Sequence, residues 1–109
     1  MAFPVGTPFI PIEAQNVTVT GSSAATSLGT QASFLIPGNR VIRFHVEGGG
    51  DDVFFKFGTS TVTVTTSNGT RLAAGSIELF CCQPGSTHVA MISSSGGSVA
   101  VNLTTGHGL

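Results

Sequence analysis

Apolar and polar residues alternate with a period of two along most of this chain, and Gly, Pro, Asn and Ser clusters interrupt the alternation about every ten residues. No stretch carries the period of an amphipathic helix. These observations predict an all-β fold, an antiparallel β-sandwich or jelly-roll-like barrel of about seven or eight short strands behind an extended N-terminal arm. A hydrophobic share of 40% over 109 residues is too high for a single sheet with one wet face, which favours the sandwich.

The arm is residues 1–15, where Pro4, Pro8 and Pro11 recur among Phe3, Val5, Phe9, Ile10 and Ile12. Each proline removes a backbone donor and biases its predecessor to extended geometry, which excludes a helix or a central strand. Its apolar side chains need cover from their own domain or from a neighbour. The sandwich domain is 16–109. Within it, 16–20 alternates Val17 and Val19 with Thr18 and Thr20, as a half-buried strand does. Residues 21–31, rich in Ser, Ala and Thr, read as a loop or weak edge strand. A short strand at 33–36 stops at Pro37-Gly38-Asn39.

The clearest strand is 40–47, with Ile42, Phe44 and Val46 on one face and Val41, Arg43, His45 and Glu47 on the other. Three glycines and two aspartates then turn the chain into 53–57, where Val53, Phe55 and Phe57 oppose Phe54 and Lys56. A further strand is expected at 61–66 with Val62 and Val64 inward, closed by Asn68-Gly69, a dipeptide suited to type I′ turns. Ile77, Leu79 and Cys81 alternate with Glu78, Phe80 and Cys82 along 76–82, before Pro84-Gly85. The last strands, 87–92 and 98–104, flank a Ser/Gly turn.

Charge excludes one class of partner. Four Lys and Arg against five Asp and Glu cannot build the basic surface that nucleic acid requires. No apolar run approaches the roughly 18 residues of a membrane-spanning helix, so no membrane partner is expected. The Met1-Ala2-Phe3-Pro4 start lacks the basic and apolar regions of a secretory signal, which points to a reducing compartment. With charged residues at 8%, much of the surface is expected to be covered by other subunits.

No catalytic set emerges. Cys81 and Cys82 are adjacent, so a strand sends them to opposite faces; they read as reduced residues, one of them in the core. His45, His88 and His107 are scattered without metal-ligand spacing, although His45 and His88 could meet across strands. Asp51-Asp52 lacks the carboxylate order of a calcium loop and reads as a solvated turn. Glu13, Glu47 and Glu78 form no acid/base couple, and the nucleophile-elbow and phosphate-loop motifs are missing. A lectin platform normally stacks sugar on Trp or Tyr, and the chain has neither, so a small lectin-like binding domain is kept as an alternative that would have to use Phe. No enzyme activity, cofactor or metal is expected.

The second half carries a resemblance. Val53-Phe54-Phe55-Lys56-Phe57-Gly58-Thr59-Ser60, Leu72-Ala73-Ala74-Gly75-Ser76-Ile77-Glu78-Leu79-Phe80 and Gln83-Pro84-Gly85-Ser86-Thr87-His88-Val89-Ala90 resemble successive segments of small all-β virion proteins of tailed bacteriophages. The close, Val99-Ala100-Val101-Asn102-Leu103-Thr104-Thr105-Gly106-His107-Gly108-Leu109, is similar to their terminal strand and Gly-x-Gly-Leu tail. The likeness covers 41–109, and its motifs are structural. It implies a capsid decoration (cement) protein on the virion surface, assembled in the host bacterial cytoplasm and bridging the major capsid protein. The same resemblance admits a head–tail or tail accessory or host-adhesion role, and a homotrimer follows from the threefold clusters common among cement proteins. The residues expected to bind partners are Phe3, Val5, Phe9, Ile10 and Ile12 of the arm, with Phe54 and Phe80 on charge-poor outer faces beside Val41.

Overall fold

The computed structural model describes residues 9–28, 40–82 and 85–108. They contain eight strands: β1 (Phe9–Val19), β2 (Ala24–Ser27), β3 (Arg40–Val46), β4 (Val53–Gly58), β5 (Thr70–Leu72), β6 (Ile77–Cys81), β7 (His88–Ser93) and β8 (Val99–Gly108). Two four-stranded antiparallel sheets face one another, in the orders β1-β8-β3-β6 and β2-β7-β4-β5. The expected all-β sandwich is present, and its connectivity is that of a jelly roll.

That connectivity has a simple origin. The first strand pairs with the last, β2 with β7, β3 with β6 and β4 with β5, all antiparallel. The chain is therefore one long ribbon folded back on itself between β4 and β5. Rolling the ribbon adds the β3–β8 and β4–β7 ladders and closes the two sheets. Side-chain alternation then decides what lies between them.

Ile42, Phe44 and Val46 of β3 are completely buried, as their spacing predicts, and Val53 and Phe55 face them from β4. Phe44 lies 4.5 Å from Phe55 and 5.7 Å from Phe80 between ring centroids, and Phe57 adjoins both Phe44 and Phe55. Four phenylalanine rings thus fill the centre of the roll, with tilted and edge-on contacts that add to their area burial. Leu103, Val101 and Val99 of β8 and Val89 and Met91 of β7 complete the core.

Three expectations are revised and one is narrowed. Residues 9–15 are not detached from the sandwich but form the first part of β1, paired with β8. Pro11 is tolerated because β1 is an edge strand, with no neighbour among the described residues on its other side to want the missing donor. The register steps from Pro11 opposite Gly106 to Glu13 opposite Thr105, a bulge that leaves Ile12 unpaired. Residues 24–27, read as loop or weak edge strand, are the edge strand β2.

Residues 61–66 are not a strand. The alternation there has another cause, because this segment lies on a sheet instead of joining one, as described below. Asn68-Gly69 is also not a type I′ turn, since Gly69 is not among the glycines with positive φ. Its turn is held by Asn68 Oδ1, which accepts the Thr65 amide at 2.8 Å, and by the Gly69 amide donating to the Thr65 carbonyl at 3.0 Å. The expected strand 33–36 and the turn at 37–39 lie outside the described residues.

Candidate functional site

The two outer faces of the roll differ. Over the second sheet, the chain between β4 and β5 makes a strap. Alternation puts Phe54, Lys56 and Gly58 on the outside of β4, and a Cβ on Gly58 would sit 2.7 Å from Val62. A Cβ on Gly69 would fall 2.6 Å from Val64 and 2.9 Å from Phe54, so only glycine allows the close approach. Val64 is 2% exposed, and its amide donates to Ser23 Oγ at 2.9 Å, just ahead of β2 on the far edge. The strap therefore crosses from one edge of the sheet to the other.

The outside of the first sheet carries a polar ladder. Asn16 of β1, Asn102 of β8 and His45 of β3 stand opposite one another in register. Thr104 Oγ1 donates to Asn102 Oδ1 at 3.1 Å, which directs Asn102 Nδ2 to Asn16 Oδ1 at 2.9 Å. Glu47 Oε1 accepts the Ala100 amide at 3.2 Å. Asn16, His45, Glu47, Ala100 and Asn102 line a shallow depression of about 180 Å³. His88 sits on β7 in the other sheet, where its Nδ1 is 2.8 Å from Thr87 Oγ1. His45 and His88 therefore do not meet. Among the described residues, no three His, Cys, Asp or Glu side chains gather as a metal site.

Asp51 and Asp52 anchor loops. Asp51 accepts from Ser95 Oγ at 2.6 Å and from the Gly97 amide at 2.8 Å. Those bonds, the Ser95 hydroxyl foremost, hold its carboxyl below the ordinary aspartate range. Asp52 accepts the Ala74 amide at 2.9 Å and Arg71 Nε at 2.8 Å, and the amide first, then the guanidinium, lowers its carboxyl likewise. The turn after Gly50 is thus tied to β5 and to the β7–β8 connection. Cys81 is exposed and Cys82 buried, matching the opposite-face expectation.

The expected partner-binding residues separate. Phe3 and Val5 lie outside the described residues. Ile10 and Ile12 are exposed, at 52% and 40%, while Phe9 is half-buried with its ring over Gly106. Phe54 is half-buried beside the strap. Phe80 requires a correction: it does not face outward. Its ring packs inside against Phe44 and Phe55, because β6 turns its Phe80 side to the core. Val41 is on the outer side of β3 as expected, yet buried.

The same parity exposes two residues that the sequence reading passed over, Ile77 at 56% and Leu79 at 47%. All four exposed large hydrophobics among the described residues therefore occupy the two edge strands of one sheet, Ile10 and Ile12 on β1 and Ile77 and Leu79 on β6. The available signal was the alternation in 76–82, but both of its phases are apolar.

Comparison with known proteins bears on the fold. No family model and no curated protein matches the chain. Among solved structures, it is similar to a de novo designed double-stranded β-helix determined by solution NMR, with a TM-score of 0.53 and 14% identity over 86% of this chain and 99% of that one. At that identity the likeness is one of fold, and it agrees with the rolled ribbon of β1–β8.

Proposed function

We propose that this chain is a non-enzymatic structural protein of a tailed-phage virion, a decoration protein that sits on the capsid surface and bridges major capsid protein subunits. The observation that carries the reading is the confinement of exposed Ile10, Ile12, Ile77 and Leu79 to the two edges of one sheet in a chain with 8% charged residues. Edges of this kind are adhesive, by side-chain burial and by strand addition. The resemblance of 41–109 to small virion proteins supports it, as does the recurrence of jelly rolls in viral capsids. The interior supports it as well: four phenylalanine rings occupy the space where ligand-holding barrels keep a cavity.

Each bridge across a shell buries apolar area worth roughly 25 cal/mol per Å², a contribution that recurs at every copy. Self-association, as a homotrimer, belongs to the same reading. The test is co-sedimentation of the purified protein with expanded capsid-like particles, with bound copies counted by mass spectrometry. Hundreds of copies per particle are expected; a handful would indicate a head–tail or tail accessory protein, and none would reject the virion reading.

The Asn16–Asn102–His45 depression favours a second reading, a small lectin-like domain. Amide shifts at Asn16, His45 and Asn102 on titration with simple monosaccharides would support it, and an unchanged spectrum would end it.

A further inference from the structure

We propose that copies of this chain associate head to tail, the β6 edge of one copy against the β1 edge of the next. The inference deepens the assembly reading above by naming the self-contact, and it stands or falls on the protein alone.

Three observations carry it. The exposed hydrophobics are divided evenly, two on each edge of the β1-β8-β3-β6 sheet. A two-fold contact is isologous, so β6 against β6 would leave Ile10 and Ile12 in water, and β1 against β1 would leave Ile77 and Leu79 there. Edge to edge, only a heterologous contact covers both edges with one kind of junction.

Strand direction is the second observation. Each neighbour in the sheet is antiparallel to the last, and four strands make an even number, so β1 and β6 run in opposite directions. Copies arranged around an axis parallel to the strands thus bring β6 and the next β1 together antiparallel, continuing the ladder the sheet already uses.

Charge and area are the third. Glu78, the charge on β6, alternates to the side of Phe80, away from Ile77 and Leu79. A standard contact takes about 800 Å² from each partner, so two junctions hide roughly 1,600 Å² of the 5463 Å² surface of one copy. A chain with four basic and five acidic residues has that much surface to spare from solvation.

The test uses two variants of the full chain, Leu79→Lys to spoil the β6 edge and Ile12→Lys to spoil the β1 edge, with mass read by light scattering and folding by circular dichroism. Wild type is expected to contain three or more copies, and each variant alone to be monomeric. An equimolar mixture of the two is expected to give a dimer, because the intact β1 of one variant meets the intact β6 of the other. A wild type that is monomeric or dimeric overturns the proposal, as does a variant that keeps the wild-type mass or a mixture that stays monomeric. Ile77→Thr and Ile10→Thr replace the lysine variants if either fails to fold. Capsid particles take no part, so failure here is distinct from failure of the virion reading.

Discussion

The Val64 amide donates to the Ser23 hydroxyl at 2.9 Å, and this bond pins the middle of the β4–β5 strap to the far side of the second sheet. Removing it leaves a part-buried amide without its acceptor. Ser23→Ala should cost about 1–2 kcal/mol of stability. Hydrogen exchange at the Val64 amide should speed up more than exchange in β3, since the strap opens before the sheet does. Equal acceleration at both sites would show that the strap is not a separate unit.

Gly69 sets the depth of the strap. Gly69→Ala places a methyl against Val64 and Phe54 at distances that real contacts do not reach, so a destabilisation of about 1–3 kcal/mol is expected in urea unfolding. Gly49→Ala is a useful contrast. It meets nothing within 4 Å, and its cost arises from φ of 82° alone.

Phe44 makes three ring contacts, two of them, to Phe55 and Phe57, reaching across to the other sheet. Phe44→Ala should lose about 3–5 kcal/mol, a large part of the stability of a domain this size. Phe44→Leu should lose less, because it leaves a smaller cavity. The denaturant midpoint of each variant checks the order.

Acid should loosen the loops at Asp51 and Asp52. Both carboxyls are held below their ordinary value of 3.8, so the folded state binds these protons less readily than the unfolded chain. Their contribution to stability is present above that value and is lost as pH falls through the lowered folded values. The melting temperature of wild type should therefore be level above this range and decline below it. Asp51→Asn should melt lower at neutral pH and show a shallower acid decline. A variant whose acid decline parallels wild type would remove Asp51 from the account.

The two adjacent thiols should behave differently. Cys81 is exposed and Cys82 is 1% exposed, so a thiol reagent should modify Cys81 rapidly in the native protein and reach Cys82 only after unfolding. Peptide mapping after brief labelling distinguishes them.

Much of the fold was legible in the sequence, and the reasons for the remainder are physical. Ile42, Phe44 and Val46 could be assigned to the core because Arg43, His45 and Glu47 mark the opposite side of the strand. In β6 the marker is weak, as Ile77, Leu79 and Cys81 are as apolar as Phe80 and Cys82. The parity is set by Phe80 fitting against Phe44 and Phe55, a contact between residues far apart in the chain. Thr61–Thr66 alternates like a strand because Val62 and Val64 are pressed on a sheet from outside, which imposes the same pattern without a strand ladder. Pairing of β1 with β8 is invisible to local pattern, and so is the row of Asn16, Asn102 and His45 that depends on it.

Because the first strand lies on the last, the order of synthesis matters. Val19 is held opposite Val99 and Phe9 opposite Gly108, so the first sheet cannot be completed while residues 99–108 are still unmade. Contacts of such long sequence separation form late and slowly. The apolar edge at Ile10 and Ile12 thus acquires its final shape only once residues 99–108 have been made.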